Sequence, residues 1–300
     1  MTKGHSVFQG CITALPTPFL EHDHDRVDFA GLLTLTERQI GGGVDGIAVC
    51  GSTGESGSLS VEERLAIFEY TVGLVRGRIP VIAGIGATDT RTVIALAQGA
   101  DSAGADGLLV TTPPYARPTQ AGLVRHFSAV ATATSLPISL YNVPSRTAVD
   151  LLPDTARKLA AEHPNIEAIK EASASLDRLR VLVEETRLQV LCGEDAWIAD
   201  AMELGAAGVI SVVSNLVPER VAQLVRCFAN GKGTPAGAPA LVESLAPLLR
   251  ALAVETNPAP LKAALEMLGL GRGRLRLPLA PIEEANRALV RKALVTAGLL

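Results

Sequence analysis

No block of basic residues runs through this chain, and its net charge is -4. An electrostatic footprint for nucleic acid is therefore missing, as is a polybasic face for an anionic membrane. Paired cysteine spacing is also missing. Cys11, Cys50, Cys192 and Cys227 stand far apart and three of them sit in apolar, strand-like runs, which reads as buried reduced thiols in a cytoplasmic protein rather than zinc or disulfide chemistry. Met1 to Gly10 holds Lys3 and His5 but no apolar h-region, so no signal peptide is expected. The longest uncharged stretch, Phe127 to Ser145, is interrupted by Pro137 and several hydroxyls, which argues against a membrane span. A small-molecule partner is the expectation left standing.

What is present is a large apolar fraction, 48% of 300 residues, enough for one barrel-sized domain or two ordinary ones. Short β-branched runs alternate with segments of helical periodicity. Strands are predicted at Cys11–Ala14, Gly46–Cys50, Val81–Ala83, Gly107–Val110, Ile138–Tyr141, Ile166–Lys170, Gln189–Cys192 and Gly208–Ser211. Helices are predicted between them at Phe29–Ile40, Val61–Val75, Thr92–Ala103, Gly122–Ala133, Pro153–Ala161, Asp177–Glu185 and Ala196–Leu204. Ser60 before Glu62 and Glu63, and Asp150 ahead of Leu152 and Pro153, supply helix-start signals. Strict alternation implies parallel strands joined by right-handed crossovers, and eight such units close an α/β (β/α)8 TIM barrel. An open doubly wound sheet is disfavoured because no Gly-x-Gly-x-x-Gly follows the first strand. Beyond Val217 the pattern becomes helical, at Pro218–Ala229, Ala240–Leu252, Pro260–Leu268 and Ile282–Ala297, with a loop over Gly231–Ala238. The expected division is therefore a barrel over 1–217 and a C-terminal helical extension over 218–300.

Lys170 ends the apolar run of the sixth strand. Burial of an ammonium favours the neutral amine and can lower a lysine pKa by several units from about 10.4. A neutral amine is the nucleophile that forms a Schiff base with a carbonyl. The bland alternative is a strand-edge lysine that snorkels to water or pairs with Glu171. Its company favours chemistry. In such a barrel the site is built by the loops after the strands, and those loops carry Gly51-Ser52-Thr53-Gly54-Glu55-Ser56, then Thr111 to Pro118 with Tyr115, then Tyr141-Asn142-Val143-Pro144-Ser145-Arg146-Thr147. Tyr141 suits proton transfer and Arg146 suits a bidentate grip on a carboxylate. Each run also has a structural reading: an ordinary Gly-Ser turn, a packed or surface aromatic, a buried tyrosine beside an arginine salt bridge. Two further readings are weaker. Glu21-His22-Asp23-His24-Asp25 could be a metal site, but alternate residues of an exposed turn seldom converge on an ion. Phosphate binding by Gly51 to Glu55 lacks the lysine of a P-loop.

Gly51 to Ser56, Tyr141 to Thr147 and Ile169-Lys170-Glu171-Ala172 resemble the defining motifs of the dihydrodipicolinate synthase and N-acetylneuraminate lyase family of pyruvate-dependent class I aldolases. The resemblance extends through Gly10 to Phe19, Leu191 to Ala196, Gly208 to Ser211 and Asn257 to Lys262. It implies that Lys170 forms an imine with pyruvate, whose enamine attacks aspartate semialdehyde. It further implies that Tyr141 shuttles the proton, that Ser52 and Tyr115 relay it to solvent, and that Tyr115 comes from a neighbouring subunit. Thr53 would receive the pyruvate carboxylate, Gly193 and the Ile210 carbonyl would line the pocket, and Arg146 would hold the carboxylate of the aldehyde. No metal or organic cofactor is implied, and a cytoplasmic dimer or tetramer is expected. The alternatives are a related aldolase or dehydratase of 2-keto-3-deoxy sugar acids, and a non-catalytic keto-acid-binding barrel. Three residues depart from the family pattern: Ser52 for threonine, Pro114 for a second tyrosine and Ala148 for glycine. Val61, Arg64 and Thr92 occupy positions where lysine-inhibited members carry histidines and a glutamate, so weak or absent lysine feedback is expected.

Overall fold

The structure, a computed structural model, describes residues 6–20, 26–228 and 235–300. The His-Asp cluster at 21–25 and the first half of the predicted 231–238 loop lie outside them. Eight parallel strands close into a barrel in sequence order. They are β1 (Gly10–Ala14), β2 (Gly46–Val49), β3 (Val81–Gly84), β4 (Gly107–Thr111), β5 (Ile138–Asn142), β6 (Ile166–Glu171), β7 (Gln189–Cys192) and β8 (Gly208–Ser211). The intervening helices are α1 (Phe29–Gly41), α2 (Val61–Val75), α3 (Thr90–Ser102), α4 (Gln120–Thr132), the single turn α5 (Pro144–Thr147), α6 (Pro153–Glu162), α7 (Leu176–Glu185) and α8 (Ile198–Glu203). The start of the helix predicted at Ala196 is instead a 3-10 turn over Asp195–Trp197. No helix among the described residues is long and apolar enough to cross a membrane.

Alternation along each strand sorts side chains into two layers. Ile12, Ala48, Ile82, Leu109, Tyr141, Ala168, Leu191 and Ile210 point into the barrel, and Phe8 plugs its N-terminal end. The opposite faces carry Cys11, Ile47, Leu108, Leu140, Ile169 and Val209 against the helices. Gly208 shows how tightly the barrel closes: a Cβ there would lie 2.2 Å from the Gly10 carbonyl oxygen on β1.

Polar side chains start five of the eight helices between the strands. Asp28, Asp89, Thr119 and Ser175 each accept from a backbone N–H in the first turn that follows, and Ser60 with Glu63 completes a reciprocal capping box. Such a cap contributes about 1 kcal/mol. Asp150 does not cap α6 as its sequence position suggests. The cap residue is Leu152, and the Asp150 carboxylate turns instead to Asn142 and Arg178, because a buried guanidinium offers a stronger partner than a helix end already begun by Pro153. Cys50, expected as the last residue of β2, leaves the sheet with φ +53° and starts the turn over Gly51.

The chain after β8 forms α9 (Pro218–Cys227), α10 (Ala238–Leu252), α11 (Ala259–Met267) and α12 (Glu284–Thr296). Helix α9 packs on β1, while α10 and α11 pack on α12. Two anchors return this region to the loop after β2. Lys262 is fully buried, pairs with Glu55 and lies 4.2 Å over the Phe19 ring. Arg276 donates its main-chain N–H to Glu55 at 3.0 Å and its guanidinium to Glu63. Burial pulls the Lys262 ammonium down to about 8, against the attraction of Glu55. The four cysteines are free thiols. Cys11, Cys50 and Cys192 are buried, and desolvation raises the pKa of each.

Candidate active site

Strands β5 and β6 pair in parallel with Tyr141 opposite Lys170 and Asn142 opposite Glu171. Both strands run one residue further than the apolar pattern predicts, since Asn142 and Glu171 bury their polar ends outside the barrel. Glu171 accepts from Asn142 at 3.2 Å, from the Ser173 N–H at 2.8 Å and from the Arg178 Nε at 3.0 Å. Arg178 also donates to Asp150 at 2.9 Å and to the Leu151 carbonyl. This network ties β5, β6 and the loop after α5 together. It also disposes of the Lys170–Glu171 pairing, because period-two alternation sends the two side chains to opposite faces.

Lys170 therefore points into the barrel. It is 6% exposed, and its Nζ lies 4.4 Å from the centroid of the Tyr141 ring, a cation–π contact in a desolvated pocket. Leu191 flanks it on the other side. Gly193 makes room for it: a Cβ at that position would lie 2.7 Å from the Ala172 Cβ and 3.0 Å from both the Lys170 Cε and the Glu171 carbonyl oxygen. Only glycine leaves the lysine stem space beside β7. Ile210 is buried on the barrel-facing side of β8, in register with Ile12 of β1.

The loop after β2 brings Thr53 into the same end of the barrel. Thr53 is buried and its Oγ1 accepts from the Asn257 Nδ2 at 2.9 Å. Ser52 lines a cavity of about 570 Å³ together with Thr111, Val143, Thr147 and Arg146. Arg146 sits exposed on the single turn α5, where its Nη2 donates to the Asn257 carbonyl at 3.2 Å. That turn ends at Ala148 with φ +57°, the left-handed conformation that accounts for the glycine of the family pattern. Tyr115 is not brought to this group. It is 92% exposed with φ +68° and takes no part in the burial around Tyr141.

Two groups lie in stretches that carry the family resemblance but received no role from the sequence. Asn257 is separated from Thr53 by more than two hundred positions, so its contact with that residue is not a local signal. Glu194 follows Gly193 directly. Partial burial raises its carboxyl above the usual range, against the opposing attraction of Lys170 and Arg146. Asp195 beside it is raised chiefly by burial, and its carboxylate accepts from the Val212 and Val213 N–H groups.

A (β/α)8 barrel with a buried lysine presented at the C-terminal end of its sixth strand, beside a tyrosine of the fifth, defines a lyase of the class I aldolase type. The particular family follows from comparison. A model of the dihydrodipicolinate synthetase family matches residues 7–297, and the chain belongs to that family. It is similar to the 4-hydroxy-tetrahydrodipicolinate synthase of Bacillus subtilis (strain 168), with 42% identity over 93% of this chain and 96% of that one. The dihydrodipicolinate synthase of Aquifex aeolicus superposes with a TM-score of 0.94 at 41% identity, over 97% of this chain and 99% of that one. The chloride-inhibited dihydrodipicolinate synthase of Acinetobacter baumannii, solved with pyruvate, superposes with a TM-score of 0.93 at 40% identity, over 98% of this chain and 100% of that one.

Proposed function

We propose that this enzyme condenses pyruvate with L-aspartate 4-semialdehyde to give 4-hydroxy-tetrahydrodipicolinate. The observation that carries this reading is the Lys170 amine, buried against the Tyr141 ring at the mouth of the barrel in a chain of this family. In the reaction the Lys170 nitrogen adds to the keto carbon of pyruvate and water leaves, giving an imine whose positive nitrogen serves as electron sink. A proton lost from the methyl group gives the enamine. The enamine carbon forms a bond to the aldehyde carbon of the second substrate, and the aldehyde oxygen takes up a proton. The amino group of that substrate then adds to the imine carbon, closes the ring and releases Lys170, so one water is lost overall.

Tyr141 is assigned the proton transfers, with Ser52 linking it outward. Thr53 and its backbone receive the keto-acid carboxylate, Gly193 and the Ile210 carbonyl bound the pocket, and Arg146 receives the carboxylate of the aldehyde. Ser52 keeps the hydroxyl of threonine without the methyl that restricts its rotamer, so its relay should be slower but intact. Tyr115 is taken as a residue given to a second copy of the chain, a reading supported by its exposure in its own subunit. The enzyme is accordingly read as a cytoplasmic homodimer or homotetramer, with residues 1–217 as the catalytic barrel and 218–300 as the helical region that reaches back to it through Asn257.

Intact mass after incubation with pyruvate and borohydride tests the central step. One reduced adduct on the wild type and none on Lys170→Ala is expected. A folded wild type without adduct would remove the imine mechanism altogether. A panel of aldehydes and 2-keto-3-deoxy sugar acids then tests the second substrate, with turnover expected for aspartate semialdehyde.

A further inference from the structure

Thr53 and Arg146 are held by one residue that lies in neither of their loops. Asn257, in the segment between α10 and α11, donates its Nδ2 to the Thr53 Oγ1 at 2.9 Å, and its main-chain carbonyl accepts from the Arg146 Nη2 at 3.2 Å. The direction of the first bond matters. A threonine hydroxyl has a single proton, and here the oxygen is used as an acceptor, so that proton stays available to an incoming carboxylate. The Asn257 Oδ1 is buried and accepts no hydrogen bond from a described residue. We infer that Asn257 is a positioning residue for both acid-binding groups of this site. Its amide orients the Thr53 hydroxyl toward the keto-acid carboxylate, and its carbonyl stations the Arg146 guanidinium at the mouth for the second acid. The helical region beyond the barrel thereby sets the spacing between the two carboxylates the site accepts. This inference rests on the roles given to Thr53 and Arg146 above.

Substitution by aspartate separates this role from a structural one. A carboxylate at this position keeps size and shape but can only accept, so it takes the Thr53 proton for itself and adds a negative charge beside a site that receives carboxylates. Alanine leaves the Thr53 proton free and merely undirected. The pyruvate concentration giving half-maximal borohydride trapping is expected to rise about tenfold or more in Asn257→Asp, and clearly less in Asn257→Ala. The KM for the aldehyde acid should rise in parallel in Asn257→Asp, while the maximal extent of trapping at Lys170 is retained. A structural role would instead make the truncation to alanine at least as damaging. If Asn257→Asp does not fold, the comparison moves to Asn257→Ala in wild-type and Thr53→Val backgrounds, where the effect of the alanine on pyruvate should largely vanish once the hydroxyl is gone. An aspartate variant within twofold of wild type, or an alanine effect equal in both backgrounds, overturns the inference while wild-type trapping leaves the functional reading intact. No adduct on the wild type overturns both.

Discussion

Removing Arg178 tests whether the polar cluster outside the barrel is what holds the Lys170 strand in place. Its guanidinium is 13% exposed and meets the 2%-exposed Glu171 carboxylate at 3.0 Å and the 40%-exposed Asp150 at 2.9 Å. Arg178→Ala leaves Glu171 as a buried charge with only Asn142 and the Ser173 N–H to satisfy it, a change that costs roughly 3–5 kcal/mol. The half-exposed Asp150 adds at most about 1 kcal/mol after solvent screening. At about 2.1 cal/mol/K of unfolding entropy per residue, a loss of this size lowers the melting temperature of this chain by roughly 5–8 °C. Because Glu171 follows Lys170 and pairs across the sheet with Asn142, the same variant should slow borohydride trapping of pyruvate as the strand end loosens. Scanning calorimetry and trapping kinetics would be read together, with Glu171→Gln as the second arm of a double-mutant cycle. The neutral amide of Glu171→Gln no longer leaves a stranded charge, so the arginine deletion should cost markedly less in that background. A melting point within about 2 °C of wild type, or equal costs in both backgrounds, would refute the reasoning.

Gly193→Ala should weaken imine formation at least about tenfold and destabilise by about 1–3 kcal/mol, since its Cβ must displace Ala172, Lys170 or the β6 backbone; trapping kinetics equal to wild type would exclude that crowding. For Lys262 the folded-state value of about 8 lies below the ordinary 10.5, so between them the unfolded chain binds more protons and stability rises with pH through that window. Relative to Glu55→Gln/Lys262→Met, the wild type should therefore gain on the order of 3 kcal/mol from pH 8 to above 10 in denaturant titrations, whereas a constant difference would contradict the assignment. Val61, Arg64 and Thr92 line the cavity of about 570 Å³, and Arg64 brings a buried guanidinium that donates to the Gly84 and Gly86 carbonyls. A cationic ligand is disfavoured there, so inhibition by L-lysine is expected only at about 1 mM or above in a steady-state assay; strong inhibition well below that would be the opposing result.

The eight-stranded alternation, the helices between the strands apart from the single turn α5, and the position of Lys170 at the end of the sixth were legible in the chain, because period-two and period-3.6 burial and Ser60-type caps are local properties. Strand ends were less so. Asn142 and Glu171 look like loop residues until Arg178, which is distant from Asn142 in sequence, arrives to satisfy them. For the same reason Asp150 reads as a helix cap but acts as an ion-pair partner. The sequence by itself determined the barrel, its chemistry-bearing loops and the family. Only the tertiary structure decided that Lys170 faces Tyr141 rather than Glu171, that Tyr115 is exposed, and that Asn257 spans Thr53 and Arg146. Those outcomes depend on register between strands and on contacts across more than a hundred residues, where closing the barrel, not local propensity, chooses which side chains meet.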